Sequence, residues 1–534
     1  MKKIIFIFAF LFIPLSLFSQ VVKEEIILKS EEDSINIYNF IYNEETKTYI
    51  YLNYDESGKY YITSNKGNSR RYDYLSTYDA KFDKKGNYYI IGYKNDQMTN
   101  KSTYYFLING VENGEFDFIN YPLSQYEEMI YFVAQKDSLY LLVGYDTEKN
   151  RFTYGKQYTN IYLPKIDEKY IWEPYYELGI TKKGEPYYVA DDGKNVFLVI
   201  GNNEQQKHKG IRDYTTYEDL KGNICYNAID AEGENQYGYL VQGKKIYKSF
   251  KATLNPIIFK PDNTPVYKGS NDEYNEFYSQ FIIEGETPGK IYNGYIYDIT
   301  LTPNGKIAYI ATDSTKDGEY YSRIVIDGKE NKKYEYVNNL KFLKDDIPVY
   351  SAKKDNQEIL VIGNKENYYN YSSILNITIS PKGEVAILGY KYPDDNSNDV
   401  IEYYVHIGDK KYGPYVNYPY SYMEGSQDFI FFNEKGNFAF IIINDNDEYY
   451  IISDYFKSDD YNSVWLLDSY KNDFYYLANK RTTGDKDSYC VYKNGKKVSD
   501  SYDDISNYTL DKEKGTLTFL GLKENTAYYV KIKL

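Results

Sequence analysis

The chain has 534 residues, 42% of them hydrophobic, and a formal net charge of −15. This length exceeds what one hydrophobic core needs, so two domains are the default expectation. The acidic balance and the lack of any block of basic residues argue against binding to nucleic acid or to an anionic membrane surface.

The N-terminus has the pattern of an export signal. Two lysines follow Met1, residues 4–13 form an unbroken apolar run, and Ser19 precedes Gln20 at a suitable cleavage position. The apolar run is shorter than the ~20 residues that span a bilayer, and no cysteine follows the cleavage position. We therefore predict a signal peptide over residues 1–19, no transmembrane segment after its removal, and a periplasmic or extracellular location.

Two kinds of turn recur about every 40 residues along the rest of the chain. The first is a tight turn after a short strand, which ends at Gly86, Gly184, Gly305, Gly383 and Gly436. The second is a hairpin turn that closes a third strand, at or near Gly67, Gly110, Gly155, Gly201, Gly243, Gly285, Gly328, Gly363, Asp409, Asp454 and Gly495. Between them the residues alternate as short strands do, and helix should be rare.

Short strands that repeat about every 40 residues predict an all-β fold, a β-propeller of about twelve four-stranded blades. The last unit, residues 505–534, lacks a fourth strand, and residues 21–28 offer a spare one. A single ring usually holds four to eight blades, so we expect two tandem propellers. They would cover residues 20–295 and 296–534, with an alternative boundary near residue 338.

Two turns carry a resemblance to a known family. The sequences Thr302-Pro303-Asn304-Gly305 and Ser380-Pro381-Lys382-Gly383 resemble the Ser-Pro-Asp-Gly turn of WD40-like and TolB-type bacterial propellers. The chain has Asn or Lys where that turn has Asp. The Trp-Asp pair of eukaryotic blades is also missing, because the only tryptophans are Trp172 and Trp465. The resemblance implies the fold and leaves the function open.

A search for catalytic or metal-binding patterns gives little. No G-x-S-x-G pentapeptide occurs, and the chain has only two histidines. His208 lies in a polar run and is interpreted as a solvated loop residue, whereas His406 is interpreted as a packed strand residue. Cys225 and Cys490 fall in predicted interior strands and are interpreted as buried free thiols. Two cysteines are too few for a disulfide scaffold.

Two loops, residues 394–399 and 444–448, are rich in side-chain oxygen atoms, which are the ligands that calcium prefers. Solvated hairpin tips are the favoured interpretation of both loops, and calcium binding stays open. We therefore predict no catalytic, cofactor-binding or metal-ligating residue and no cofactor.

Tyrosine is very abundant, at 71 residues. One interpretation is the codon usage of an AT-rich genome, which would also favour Asn, Lys and Ile. The other is that exposed tyrosines stack on sugars or peptides, since each offers a rigid ring with a polar tip.

These observations favour a non-catalytic binding scaffold of the cell envelope, with a protein, peptide or glycan as partner. The alternative is a secreted carbohydrate-active enzyme with carboxylates at the propeller channel. A structural surface-layer role is a third possibility, and the oligomeric state is left open.

Overall fold

A computed structural model describes residues 22–30, 35–166, 177–232, 235–271, 278–315, 318–392, 401–417, 430–444, 446–481 and 487–534. The predicted signal peptide and the loop at residues 394–399 lie outside these ranges. Within them the helical structure consists of three single 3-10 turns, Ile37–Asn39, Arg212–Tyr214 and Lys344–Asp346. The prediction that helix is rare is confirmed.

The described residues form twelve β-sheets, the blades of a β-propeller. Eight sheets have four strands, and nearly all pairing is antiparallel, as predicted. The predicted ring boundary near residue 295, or near 338, stays a prediction.

The strands before and in blades 1 to 3 are β1 (Val22–Lys29); β2 (Phe40–Asn43), β3 (Thr48–Tyr54) and β4 (Tyr60–Ser64); β5 (Tyr74–Phe82), β6 (Tyr88–Asp96), β7 (Lys101–Ile108) and β8 (Val111–Phe116); β9 (Phe118–Tyr126), β10 (Met129–Lys136), β11 (Leu139–Asp146) and β12 (Arg151–Tyr158).

The strands of blades 4 and 5, which are partly interleaved in sequence, are β13 (Asn160–Tyr162), β14 (Lys165–Ile166), β15 (Gly179–Ile180), β16 (Pro186–Asp191), β17 (Val196–Ile200), β18 (Asn203–His208), β19 (Gly210–Ile211), β20 (Thr215–Glu218), β21 (Ile224–Glu232), β22 (Asn235–Gln242) and β23 (Lys245–Ile246). Of these, β14 and β19 to β23 form blade 5.

The strands of blades 6 to 9 are β24 (Ala252–Phe259), β25 (Pro265–Ser270), β26 (Gln280–Glu284) and β27 (Thr287–Pro288); β28 (Ile296–Leu301), β29 (Ile307–Ser314), β30 (Tyr320–Ile326) and β31 (Lys329–Glu330); β32 (Tyr336–Phe342), β33 (Pro348–Lys354), β34 (Gln357–Ile362) and β35 (Lys365–Tyr368); β36 (Ser373–Ile379), β37 (Val385–Lys391), β38 (Glu402–Ile407) and β39 (Lys410–Tyr415).

The strands of blades 10 to 12 are β40 (Ile430–Phe432), β41 (Phe438–Ile443) and β42 (Tyr449–Ser453); β43 (Ser463–Tyr470), β44 (Asp473–Arg481), β45 (Asp487–Lys493) and β46 (Lys496–Lys497); β47 (Asp504–Asp511), β48 (Thr516–Lys523) and β49 (Thr526–Lys533).

The middle strands of the blades are apolar on both faces because each is covered by a neighbouring blade on either side. In β6, Tyr88 and Ile90 pack in a core with blade 1, whereas Tyr89 and Ile91 pack in a core with blade 3. Side chains alternate across a strand, so one run of consecutive apolar residues supplies two cores.

The tight turns depend on a polar side chain at their first position. Asp83 Oδ1 accepts the backbone N–H groups of Lys85 and Asn87, and Ser380 Oγ accepts that of Glu384. Thr181, Asp219, Thr302 and Asn433 act in the same way. The turn glycine takes a positive φ, +79° at Gly86, which is why a β-carbon is disfavoured there.

The predicted hairpin turns are confirmed with one exception. Asn109 and Gly110 both have positive φ values, 50° and 78°, as a two-residue turn between twisted strands requires. In blade 3, however, the turn falls at residues 147–150, and Gly155 lies inside β12. The strand pairing shifts there, so Gly155 marks a bulge and the prediction of a turn was wrong.

Residue contacts divide the chain into two compact units. Unit 1 comprises Met1–Tyr38, Phe431–Ile441 and Asn446–Leu534, and unit 2 comprises Asn39–Ile430 and Ile442–Asp445. Within unit 1, β1 pairs along β49 and forms the fourth strand of blade 12. The predicted use of the N-terminal strand to complete the last unit is confirmed.

Buried tyrosines between blades account for part of the unusual composition. Among the described residues, the twelve largest fully buried side chains are all tyrosines. Tyr72 is one of them, and its hydroxyl donates to Glu112 of blade 2 at 2.9 Å, while Lys94 bonds the same carboxylate at 2.5 Å. Burial and the nearby carboxylate raise the pKa of Tyr72 far above its usual value. Tyrosine is therefore structural here, a role that neither sequence interpretation included.

Replacing Asp219 by Ala should destabilise unit 2. Asp219 is 1% exposed, and its Oδ2 accepts the side-chain amides of Asn223, Gln242 and Asn263 at 2.7–2.9 Å. The buried Gln242 amide and the more exposed amides of Asn223 and Asn263 would lose their acceptor, which costs about 3 kcal/mol in all. Urea unfolding measures the change. The control is Asp262→Ala, because that exposed turn carboxylate accepts one backbone N–H, and an equal loss there would contradict this account.

Removing residues 20–29 from a chain that begins at Gln20 should expose the edge of β49. We expect the Tm to fall by at least about 5 °C and the protein to self-associate, because an unpaired edge templates further strand pairing. Size-exclusion chromatography and thermal melting measure both effects. Removing only residues 20 and 21 leaves β1 intact and serves as the control. A monomer with an unchanged Tm after the longer deletion would show that β1 is dispensable.

Candidate functional site

Exposed tyrosines of unit 2 gather at one edge of the blades. This is the edge at which first and third strands begin and second strands end, and we call it the upper edge. Tyr278, Tyr295 and Tyr320 lie there and are 39%, 48% and 56% exposed. Blades 6, 7 and 8 each supply residues to a cavity at this edge.

The cavity, which we call the tyrosine pocket, has a volume of about 880 Å³. It is large enough for a drug-sized ligand or for several units of a polymer. Its lining consists of five tyrosines with hydroxyl, amide and carboxylate groups between them: Tyr278, Tyr295, Tyr297, Thr312, Tyr320, Ser322, Glu335, Tyr336 and Asn338.

Two hydrogen bonds hold lining residues of the tyrosine pocket in place. The Tyr297 hydroxyl donates to the carbonyl of Val337 at 2.6 Å, and burial raises the pKa of Tyr297 to about 12. Glu335 Oε1 accepts the backbone N–H of Asn356 at 3.0 Å. The pocket is thus braced by bonds from blade 7 to blade 8 and within blade 8.

A ladder of aromatic rings follows the upper edge of blades 1 to 3. Consecutive ring centroids are 5.1–6.3 Å apart along the series Tyr54, Tyr60, Tyr74, Tyr93, Tyr104 and Phe118. Tyr54 and Tyr74 are the most exposed members, at 69% and 39%. The ladder extends the tyrosine-rich character of the edge beyond the pocket.

A second cavity, of about 560 Å³, lies among the first strands of blades 2 to 6. Lys81, Glu177 and Glu218 line it, with Tyr187 and Tyr217 beside them. Glu218 forms an ion pair with Lys182 at 3.3 Å. This inner cavity is where the predicted alternative of an enzyme with channel carboxylates would have its groups.

His208 is not the solvated loop residue that its polar surroundings suggested. It ends β18 and is 1% exposed, with Nδ1 2.7 Å from the Tyr239 hydroxyl and Nε2 3.2 Å from that of Tyr226. Burial lowers its pKa, although Asp230 lies 3.5 Å away. The prediction failed because His208 holds the inter-blade position that Tyr158 holds at the end of β12.

His406 lies in β38, as predicted, close to the Tyr371 hydroxyl, and burial lowers its pKa to about 4. Cys225 and Cys490 are buried free thiols in β21 and β45, also as predicted.

No group of three or more potential metal ligands occurs among the described residues. Part of the loop at residues 444–448 and all of residues 394–399 fall outside them, so the interpretation of both loops as solvated hairpin tips stays a prediction. No helix in the described part of the chain is long and apolar enough to cross a membrane.

Glu358 has a raised pKa of about 7, because burial disfavours its charged form. It is 1% exposed, and its carboxyl oxygens lack a close hydrogen-bond partner among the described residues, with the backbone of Ile374 only partly offsetting the rise in pKa. Gln280 holds the same place in blade 6. Each residue precedes a hairpin glycine by the same number of positions, and each carbonyl accepts the N–H of an inter-blade tyrosine. Because Glu358 lines neither cavity, we interpret it as a blade-packing residue.

Replacing Glu358 by Gln should stabilise the protein at pH 8 by about 3 kcal/mol and have little effect at pH 4. The folded state keeps this carboxyl protonated to about pH 7, from a usual pKa of 4.5, so stability falls as the pH rises through that window. Denaturant unfolding at both pH values measures the effect.

The matched control is Gln280→Glu, which places a carboxyl at the equivalent site, where Gln280 is 3% exposed, and should therefore destabilise the protein more at pH 8 than at pH 4. Equal effects of Glu358→Gln at pH 4 and pH 8 would contradict the assignment.

Neither a family model nor a curated protein matches the sequence. Similar solved structures are β-propellers at low identity. The Dos1 propeller is 11% identical over 68% of this chain and 92% of its own, with a TM-score of 0.23. The propeller domain of the Trilobed protease from Pyrococcus furiosus is 12% identical over 55% of this chain and 94% of its own, with a TM-score of 0.24. TolB from Acinetobacter baumannii is 11% identical over 51% of this chain and 76% of its own, with a TM-score of 0.20. These likenesses concern the fold and carry no argument about function.

Proposed function

We propose that the protein is an exported binding scaffold of the cell envelope that takes its ligand at the upper edge of unit 2. The tyrosine pocket is the observation that carries this proposal. Large aromatic side chains are normally covered, and three of the pocket tyrosines are 39–56% exposed around a preformed cavity. The sequence supports export through its N-terminal signal pattern.

A second candidate is a carbohydrate-active enzyme, favoured by Glu177 and Glu218 in the inner cavity. Most glycoside hydrolases use a pair of carboxylates to cleave the glycosidic bond. The two candidates differ in the cavity they use and in whether the ligand is turned over.

Retention of envelope components by residues 20–534, immobilised on a resin, tests the proposal. The wild type should retain at least one component, and the double variant Tyr295→Ala/Tyr320→Ala should lose it, because the exposed pocket rings would be gone. Tyr154→Ala is the matched control, since Tyr154 is 60% exposed but lies on the outer strand of blade 3. Mass spectrometry of the eluates measures retention.

Two outcomes would contradict the proposal. One is equal retention by the wild type and the double variant. The other is turnover of a bound glycan that Glu218→Gln abolishes, which would favour the enzyme.

A further inference from the structure

We infer that the ligand of the tyrosine pocket is a neutral saccharide. The inference rests on the proposed binding function of that pocket and adds the chemical class of the ligand.

The exposed rings match the apolar side of a sugar. A pyranose ring presents a face of C–H groups, and a flat aromatic ring buries that face with little loss of side-chain entropy. Tyr278, Tyr295 and Tyr320 offer such rings from the starts of strands in blades 6 and 7. Three rings around one cavity suit a chain of sugars better than a single small apolar ligand.

The polar lining matches the other side of a sugar. Hydroxyl and amide groups both donate and accept hydrogen bonds, as sugar hydroxyls do. Thr312 Oγ1 and Ser322 Oγ hydrogen-bond each other at 3.4 Å in the buried part of the lining, and the exposed Asn338 adds a carboxamide. The Glu335 carboxylate supplies a strong acceptor for ligand hydroxyls.

The charge of the lining selects against anionic ligands. The described lining contains one carboxylate, Glu335, and no lysine or arginine. A uronic acid, a phosphorylated glycan or an acidic peptide would bring an anion next to that carboxylate without a compensating cation. A neutral ligand has no such cost.

The backbone around the pocket is already hydrogen-bonded, which disfavours an extended polypeptide that would pair with a strand. Ser322 and Tyr334 exchange both backbone hydrogen bonds at 2.9 Å, and Thr312 donates to the carbonyl of Tyr295 at 2.9 Å. Strand addition needs a free backbone edge. Recognition here falls to the side chains, as it does for sugars.

Isothermal titration with soluble hexasaccharides tests the inference. The probes are neutral hexasaccharides of glucose, mannose, galactose and xylose, with hexagalacturonate and a library of uncharged pentapeptides as competitors. At least one neutral hexasaccharide should bind, and Tyr320→Ala should weaken its affinity by about tenfold. Tyr320→Phe keeps the ring and should lose less. Tyr154→Ala should bind like the wild type.

Pocket-dependent binding of hexagalacturonate or a pentapeptide, with no neutral saccharide bound, would overturn the inference and leave the proposed function standing. An envelope component lost in Tyr295→Ala/Tyr320→Ala, without any neutral saccharide binding, would do the same. Retention of envelope components that is unaffected by the pocket substitutions, with no saccharide bound, would overturn both. The thermal melt of each variant shows that a lost signal does not come from unfolding.

Discussion

The contact on which the architecture depends is a buried aromatic ring wedged between neighbouring blades with its hydroxyl tied to a carboxylate. Tyr158 bonds Glu204 at 3.1 Å, and Tyr334 bonds Glu366 at 3.1 Å. A single blade cannot bury its own apolar faces, so repeats must be joined in a way that is both apolar and specific. The ring supplies the area, and the hydroxyl with its carboxylate fixes the angle of approach. In unit 1, Tyr502 and Glu24 repeat the arrangement, with the carboxylate coming from β1.

The repeat could be predicted from the sequence because its determinants are local. A buried acceptor such as Asp219 and a glycine with positive φ act within a few residues of each other, and their spacing is visible in the chain. Gly155 and His208 were misread because their roles are set by partners elsewhere. Gly155 sits opposite a pairing shift in β11, and His208 replaces an inter-blade tyrosine whose neighbours belong to another blade.

The tyrosine pocket could not be predicted from the sequence, although the sequence contains every residue that lines it. Tyr295 and Tyr297 are two positions apart, yet Tyr297 bonds Val337 and is largely buried, whereas Tyr295 is 48% exposed. Which tyrosine is structural depends on how far along its strand it lies, and a shift of one or two residues decides this. In a chain with 71 tyrosines, composition gives no help, since the same residue type fills the cores and the pocket.

The same geometry separates stability from recognition. Buried rings such as Tyr72 lie between blades, and a change there breaks a contact, such as the hydrogen bond of the Tyr72 hydroxyl to Glu112. Tyr278, Tyr295 and Tyr320 lie at strand starts, where exposure means that a substitution removes few contacts. Because the pocket takes residues from three consecutive blades, its shape follows from inter-blade packing, while its chemistry is free to vary with exposed side chains. A repeat scaffold of this kind can change its ligand without changing its fold.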